Sequence, residues 1–285
     1  MEGKAGVTQV DGVYVMGQTD AERARLSQQD RVFAPHSENL FRQAGIATGM
    51  RVVDIGCGVG DTTTLLARIV GPAGSVIGVD RDAVSLEAAE RTVAEAGLSN
   101  VSFQQRTLPD IDLDAPADAL AGRLILLHLD DPASMLAKLT RYVRPGGIVT
   151  FQDITVSRAR SVPEVPLWTR LTEWIGTGAT LAGGGPDFGD QLPAVFRRAG
   201  LPHPQAAAVS IAGDADSPVP SYQVQTVRSL APLIVARGTA TAEELTRDGY
   251  LEELTGQARR LEAMLYIQEL AAAWARVPST RRNSW

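Results

Sequence analysis

The stretch Val52-Val-Asp-Ile-Gly-Cys-Gly-Val-Gly-Asp61 decides how this chain folds. A short apolar run ends at Ile55, three glycines follow at alternate positions, and a helical pattern starts at Asp61. Glycine has no Cβ, so the backbone can turn tightly and approach a ligand closely. A helix N-terminus presents unpaired N–H groups to a polar ligand. The stretch therefore predicts a strand, a ligand-binding turn and a helix.

Outward from this loop, short apolar runs alternate with helical patterns, which predicts a mostly parallel sheet with crossover helices. The predicted strands cover 50–55, 75–80, 101–105, 118–127 and 148–154, and the predicted helices cover 61–70, 83–96 and 132–143. The fold class we predict is α/β. It is a Rossmann-like, seven-stranded, mostly parallel sheet with helices on both faces, an N-terminal helical cover and an inserted helical lid.

The flanking segments complete this organisation. Residues 1–49 are predicted to form the cover, with two helices over 19–47, and 50–155 to form the core. About 202–212 and 264–278 complete the core, with a final edge strand over 270–277. The lid is predicted to comprise 156–201, with a helix over 191–199, and 213–263, with helices over 221–236 and 242–262.

The spacing of the glycines indicates the kind of ligand. Gly56, Gly58 and Gly60 form G-x-G-x-G, one residue shorter than the dinucleotide fingerprint G-x-G-x-x-G. Asp80 ends the next predicted strand, where a carboxylate can accept both hydroxyls of an adenosine ribose. An NAD site shares such an acid, so Asp80 alone does not choose the cofactor. The shorter loop disfavours a pyrophosphate.

Three motifs together carry a family resemblance. They are V-x-D-x-G-x-G-x-G over 52–60, the acid in Val79-Asp80-Arg81, and Arg144-Pro-Gly-Gly147 before the fifth strand. The segment 50–154 resembles class I S-adenosylmethionine (SAM)-dependent methyltransferases. The whole chain more loosely resembles bacterial small-molecule methyltransferases of natural-product type.

The resemblance implies SAM as cofactor and S-adenosylhomocysteine as product. It implies that the glycines pass under the methionine and ribose, and that Asp54 orients the loop or the ligand's amino group. Asp80 would hold the ribose hydroxyls, and Arg81 would cover one adenine face. Thr107 stands where the family usually has an aspartate for the adenine amino group. The residues we assign to the cofactor are Tyr14, Asp54, Gly56, Gly58, Gly60, Asp61, Asp80, Arg81, Thr107, Leu108 and Arg123.

Two residues are candidates for catalysis. His128 follows the fourth predicted strand, at the sheet edge where open α/β folds bind ligands. Its ordinary pKa of about 6.5 suits a general base. Asp153, at the end of the fifth strand, is predicted to orient it. The alternative is that His128 tethers its loop and Asp153 caps the turn.

We therefore predict methyl transfer to a small, largely apolar acceptor, at oxygen because a His–Asp pair is available. Trp168, Trp174 and His36 are candidates for contact with that acceptor. The alternatives are that the tryptophans form the core of the lid and that His36 neighbours a helix cap. Three other functions stay open. The first is a cyclisation or decarboxylation by a SAM-binding enzyme. The second is methylation of a peptide, or of a nitrogen or carbon atom. The third is a dehydrogenase-like nucleotide-binding module.

Composition restricts the partners and the compartment. A formal charge of −6 disfavours a nucleic-acid partner, which needs a basic surface. No apolar run approaches the roughly 20 residues of a membrane span. The one cysteine, Cys57, suits a reducing cytoplasm, and three scattered histidines lack metal-ligand spacing, so we predict no metal. A homodimer is left open.

Overall fold

A computed structural model describes residues 20–279 of the chain. Helix α1 spans Asp20–Ala44 and precedes the sheet. The elements that follow are β1 (Arg51–Ile55), α2 (Asp61–Val70), β2 (Ser75–Asp80), α3 (Ala83–Glu95), β3 (Val101–Gln105), β4 (Ala117–Arg123), α4 (Pro132–Leu139) and β5 (Val143–Thr155). After these come β6 (Arg160–Val162), α5 (Pro166–Leu181), α6 (Leu192–Arg198), β7 (Gln205–Val209), β8 (Ala212–Gly213), α7 (Val219–Ala236), α8 (Ala242–Thr246), α9 (Tyr250–Arg260), β9 (Met264–Tyr266) and β10 (Glu269–Arg276).

The main sheet has the strand order β3-β2-β1-β4-β5-β10-β7, which confirms the predicted seven-stranded, mostly parallel α/β fold. Strands β1 to β5 pair in parallel, and β10 pairs antiparallel with both β5 and β7. The chain leaves β1 on one side and later returns to its other side with β4. Open α/β sheets bind ligands at such a reversal point, outside the carboxyl ends of the strands.

The prediction that the last strand lies at the sheet edge is wrong. Strand β10 lies between β5 and β7, so β7 forms that edge. The run Leu270–Ala273 is buried, as expected for an inner strand covered on both faces. Residues 264–266, predicted to be part of the core, instead join a small second sheet of order β6-β9-β8.

Helices cover both faces of the main sheet. On one face α1 and α2 pack on the sheet through apolar side chains that include Phe41, Leu66 and Ile69. On the other face α4 and α6 pack through Leu136, Phe196 and their neighbours. Helix α6 had been predicted to be part of the lid, but its apolar side faces the sheet. Helices α5, α7 and α9 share a third apolar cluster with part of α1.

The N-terminal segment forms one helix where two were predicted. Proline inside a helix removes a hydrogen bond and crowds the preceding turn, yet α1 continues through Pro35. Phe33, Ser37, Leu40 and Phe41 are fully buried along one side of α1. Packing along this side stabilises the helix despite the proline.

Several other boundaries differ from the sequence prediction. Strand β4 ends at Arg123, and Leu126–His128 form a single 3-10 turn. Helix α4 ends at Leu139, and the predicted turn at 144–147 is an irregular part of β5, with a register shift against β4. The predicted helix over 242–262 is divided into α8 and α9. None of the helices within residues 20–279 combines the length and apolar character needed to cross a membrane.

Candidate active site and cofactor cavity

The glycine loop connects β1 to α2 and needs glycine at each of its three positions. Gly56, Gly58 and Gly60 have φ angles of +65°, +51° and +88°, which side chains other than glycine rarely adopt. A Cβ on Gly56 would lie 2.5 Å from the Ile125 side chain, and one on Gly60 would lie 2.9 Å from Ala89. A Cβ on Gly58 would meet no protein atom within 4 Å. Two glycines therefore allow close packing, and Gly58 leaves space for a ligand.

Asp54 fixes this loop from beneath. It is fully buried, and the Thr63 hydroxyl of α2 donates to its Oδ2 at 2.6 Å. Burial raises the pKa of Asp54 to about 7, although the bond from Thr63 and the charge of Arg123 oppose the rise. Asp54 lines neither of the cavities described below. Its position therefore favours the loop-orienting role over contact with a ligand.

Asp80 lies at the carboxyl end of β2, beside the loop. The backbone N–H of Gly58 donates to Asp80 Oδ2 at 2.9 Å, and that of Asp82 donates to Oδ1 at 3.0 Å. These two bonds hold the carboxylate at the edge of a cavity of about 530 Å³, which we call the cofactor cavity. Each oxygen keeps a lone pair for a further donor.

The cofactor cavity contains most of the residues predicted to contact the cofactor. Those lining it are Gly56, Gly58, Asp80, Arg81, Thr107 and Leu108. The residues present fit SAM, because the Asp80 carboxylate can accept hydrogen bonds from ribose hydroxyls and Gly58 leaves open space beside it. Tyr14 lies outside the described residues. Gly60 and Asp54 support the loop and line neither cavity.

A second cavity of about 180 Å³ adjoins the first and lies against α5 and α7. We call it the acceptor cavity. Its floor includes Asp61 and Arg123, and its walls come from α1, α5 and α7. The two cavities share five lining residues: Gly56, Gly58, Ser85, Leu124 and His128. A group held in one cavity can therefore meet a group held in the other at this junction.

His128 is half-buried at the junction, at the end of the 3-10 turn that follows β4. Burial, reinforced by the charge of Arg81, lowers the pKa of His128 to about 4. The imidazole is therefore neutral at physiological pH and can accept a proton. Leu124, which also lines both cavities, has a φ angle of +56°, and strained backbone of this kind clusters at functional sites.

The predicted pairing of Asp153 with His128 is wrong. Asp153 is fully buried and lines neither cavity. Neither of its carboxyl oxygens makes a well-formed hydrogen bond to a described residue, and its polar neighbours are the backbones of Leu126 and Leu127. Burial raises the pKa of Asp153 well above its ordinary value. Asp153 is therefore buried beside the backbone of the turn that carries His128.

Arg123 joins the floor of the acceptor cavity to α1. Its Nη2 forms an ion pair with Asp30 Oδ1 at 2.9 Å, and its Nη1 donates to the Ser37 hydroxyl at 3.2 Å. Burial raises the pKa of the adjacent Asp61 to about 7, with Asp30 adding to the rise and Arg123 opposing it. Asp61 and Arg123, which were predicted to contact the cofactor, thus line the acceptor cavity instead of the cofactor cavity.

The residues predicted to contact the acceptor do not reach its cavity. Trp168 is fully buried and Trp174 is almost so, both within the apolar cluster of the lid. Trp174 packs edge-on against Tyr250. His36 is half-buried in the middle of α1 and also lines neither cavity. The tryptophans are core residues because their face of α5 turns toward α7 and α9.

Other residues take their place in the acceptor cavity. Ile175 and Ala179 of α5 form an apolar stripe with Ala182 just after the helix, and α7 contributes a polar stripe beside Leu230. The polar stripe consists of Tyr222, Thr226 and Ser229, with Gln268 donating to the Tyr222 hydroxyl and Gln29 of α1 nearby. The three residues of the polar stripe lie at i, i+4 and i+7, the spacing of one helix face, and this spacing was the signal in the sequence.

Comparisons with known proteins agree with this geometry. The family described as a methyltransferase domain matches residues 46–180. Aklanonic acid methyltransferase DauC of Streptomyces sp. (strain C5) is 31% identical over 166 residues, which cover 55% of this chain and 73% of that protein. Ubiquinone biosynthesis O-methyltransferase of Paracidovorax citrulli (strain AAC00-1) is 33% identical over 108 residues. That match covers 37% of this chain and 44% of the relative, so the chain spans less than half of the relative's length.

A solved structure shares the fold. YcgJ from Bacillus subtilis superposes with a TM-score of 0.55 at 19% identity, covering 85% of this chain and 98% of that chain. At this identity the likeness shows the fold alone. The identity to DauC extends over most of that protein, and the family match covers the glycine loop and the strands around it. The chain therefore belongs to the class I SAM-dependent methyltransferases.

Proposed function

We propose that this protein transfers the methyl group of SAM to an oxygen of a small, largely apolar acceptor, with His128 as general base. The observation that carries the proposal is the position of His128 on the wall common to the cofactor and acceptor cavities. A base at this junction can reach a nucleophile held in the acceptor cavity. The names of the two relatives, ubiquinone biosynthesis O-methyltransferase and aklanonic acid methyltransferase DauC, support a small-molecule acceptor.

The residues that would hold the cofactor are Asp80 at the ribose and Arg81 and Thr107 at the adenine. When bound, SAM supplies a methyl group on a sulfonium centre that is already a good leaving group. The chain's own contribution is alignment of the acceptor and removal of its proton. Alignment alone accounts for several kcal/mol in such reactions, and roughly 7–11 at the extreme.

The lowered pKa of His128 restricts the acceptor. A neutral imidazole is always ready to accept a proton at pH 7, but a pKa of about 4 makes it a weak base. It therefore suits an acidic hydroxyl, such as that of a phenol or an enol, better than an aliphatic alcohol.

The proposal is tested with methyl-labelled SAM and a panel of phenols, enols, sugars, amines and small peptides, with products read by mass spectrometry. We expect label on a phenol or enol oxygen. His128→Asn should lower kcat about 10²–10⁴-fold without weakening SAM binding. The matched control is His203→Asn, because His203 is an exposed histidine and should leave kcat unchanged.

The variant Asp80→Asn tests binding of SAM separately from the methyl-transfer step. It removes a charge-assisted acceptor from the cofactor cavity, so the Kd of SAM should rise about tenfold or more. Label on nitrogen or carbon would contradict oxygen transfer, and an unchanged kcat in His128→Asn would contradict the base. Turnover of an acceptor with no S-adenosylhomocysteine formed would instead favour a non-methylating reaction.

A further inference from the structure

Two helices that pack against each other, α5 and α7, contribute chemically different side chains to the acceptor cavity. Helix α5 presents Ile175 and Ala179, and α7 presents Thr226 and Ser229. The helices approach closely, since a Cβ on Gly178 would lie 2.7 Å from Leu230. A ligand in this cavity therefore meets apolar side chains from α5 and hydroxyl groups from α7.

The hydroxyl protons of Thr226 and Ser229 are already engaged. Thr226 Oγ1 donates to the backbone carbonyl of Tyr222 at 2.8 Å, and Ser229 Oγ donates to that of Thr226 at 2.9 Å. A hydroxyl has one proton and two lone pairs. Both oxygens therefore remain available to a ligand as hydrogen-bond acceptors, so a ligand group that bonds to them must be a donor.

The charges at the cavity floor disfavour an anionic ligand. Among the described lining residues, Arg123 carries the positive charge, and Asp30 already pairs with it at 2.9 Å. The carboxyl of Asp61 lies in the same floor. A carboxylate or phosphate on the ligand would enter a partly desolvated site without a cation dedicated to it.

We propose that the methyl acceptor is an uncharged molecule that carries a hydroxyl in addition to the one methylated, and that this second hydroxyl donates its hydrogen bond to Thr226 Oγ1. The inference rests on the proposed function and names its acceptor class. Thr226 is the specificity-determining residue, because it is buried in the cavity wall and its oxygen has no other described donor to accept from.

The experiment measures binding in the presence of S-adenosylhomocysteine, so that no methyl transfer is needed. The probes are a dihydroxynaphthalene, the naphthol in which one hydroxyl is methylated, and a hydroxynaphthoate. Each is titrated by calorimetry into the wild type, Thr226→Val and Thr226→Ser. Thr246→Val is the matched control, because the exposed Thr246 makes the same type of bond to the Ala242 carbonyl, away from the cavity.

We expect the wild type to bind the dihydroxynaphthalene roughly fivefold more tightly than its methyl ether, and the hydroxynaphthoate least tightly. Thr226→Val keeps the shape but removes the acceptor, so this ratio should fall to about one, and Thr226→Ser should restore it. A merely structural role would weaken both ligands equally and leave the ratio unchanged.

Three results would overturn the inference. They are an unchanged ratio in Thr226→Val, tightest binding of the hydroxynaphthoate, and no measurable binding of the dihydroxynaphthalene. The proposed function fails separately, if probes that bind with the expected ratio receive no label from SAM.

Discussion

Single glycines in the loop have different roles, which substitution can separate. Gly58 and Gly49 both have positive φ, +51° and +83°, and a Cβ on either meets no protein atom within 4 Å. Alanine at either position should therefore lower the free energy of unfolding by a similar amount, about 1 kcal/mol. Gly58 lines both cavities and Gly49 neither, so only Gly58→Ala should raise the Kd of SAM.

Two measurements on both variants test this prediction. Calorimetric titration gives the Kd of SAM, and urea unfolding gives the free energy of unfolding. Equal SAM affinity in Gly58→Ala and Gly49→Ala would mean that the cofactor does not use the space beside Gly58.

The raised pKa of Asp61 makes its contribution to stability depend on pH. In the folded chain Asp61 keeps its proton up to about pH 7, whereas its ordinary pKa is 3.8. The unfolded state thus loses this proton first, so the contribution is fully present below pH 3.8 and is lost as pH rises toward 7. Asp61→Asn should gain stability relative to the wild type across this window, on the order of 2 kcal/mol.

Urea unfolding near each end of that window measures the gain. Asp112→Asn, an identical change at an exposed carboxyl, is the control and should show no such trend. A difference between Asp61→Asn and the wild type that does not change with pH would contradict the assignment.

Helix α1 is held to the sheet by polar contacts under the acceptor cavity. Arg123 of β4 pairs with Asp30, and Gln152 of β5 donates to the Ser37 carbonyl at 3.2 Å. Because the Arg123 side chain is only 6% exposed, Asp30→Asn leaves a largely buried charge unpaired. The variant should lose about 2 kcal/mol of unfolding free energy.

The same helix offers a matched surface pair. Arg42 and Glu38 form an exposed ion pair at 2.8 Å, so Glu38→Gln should cost no more than about 0.5 kcal/mol. Denaturant unfolding compares the two variants. Equal losses would show that the Arg123–Asp30 contact contributes no more than a surface pair.

For the whole molecule, binding of the cofactor should raise the free energy of unfolding. A ligand that binds only the folded state raises the free energy of unfolding by about 2.7 kcal/mol at a hundred times its Kd. We expect SAM to produce this increase and NAD to produce none at equal concentration, because the loop lacks the extra residue of the dinucleotide fingerprint. Thermal unfolding with each ligand measures the difference. Equal stabilisation by NAD would instead favour the dehydrogenase-like alternative.

The sequence predicted local features well. Alternation of apolar runs and helical patterns placed β2, β3 and α2 at the bounds observed, and the spacing of Gly56, Gly58 and Gly60 indicated the cofactor turn. His128 was predicted to lie at the ligand-binding edge, and it lines both cavities there, although β4 ends at Arg123, earlier than the sequence predicted. These features depend on periodicity and on backbone conformations that few residues allow, so a single chain segment carries them.

Only the tertiary structure decided which faces meet. Trp168 and Trp174 had the composition of a substrate wall, but packing of α5 against α7 and α9 buried them. Asp153 ended the expected strand, yet its side chain lies beneath the 3-10 turn and not in a cavity.

Contacts between distant segments likewise decide three other features. They are the order of β10 and β7, the continuation of α1 through Pro35, and the polar stripe of the acceptor cavity. The sequence by itself thus determined the cofactor loop, the sheet and the family resemblance. The walls of the acceptor site were decided by the tertiary structure, because burial depends on which elements pack together and not on the residues of one element alone.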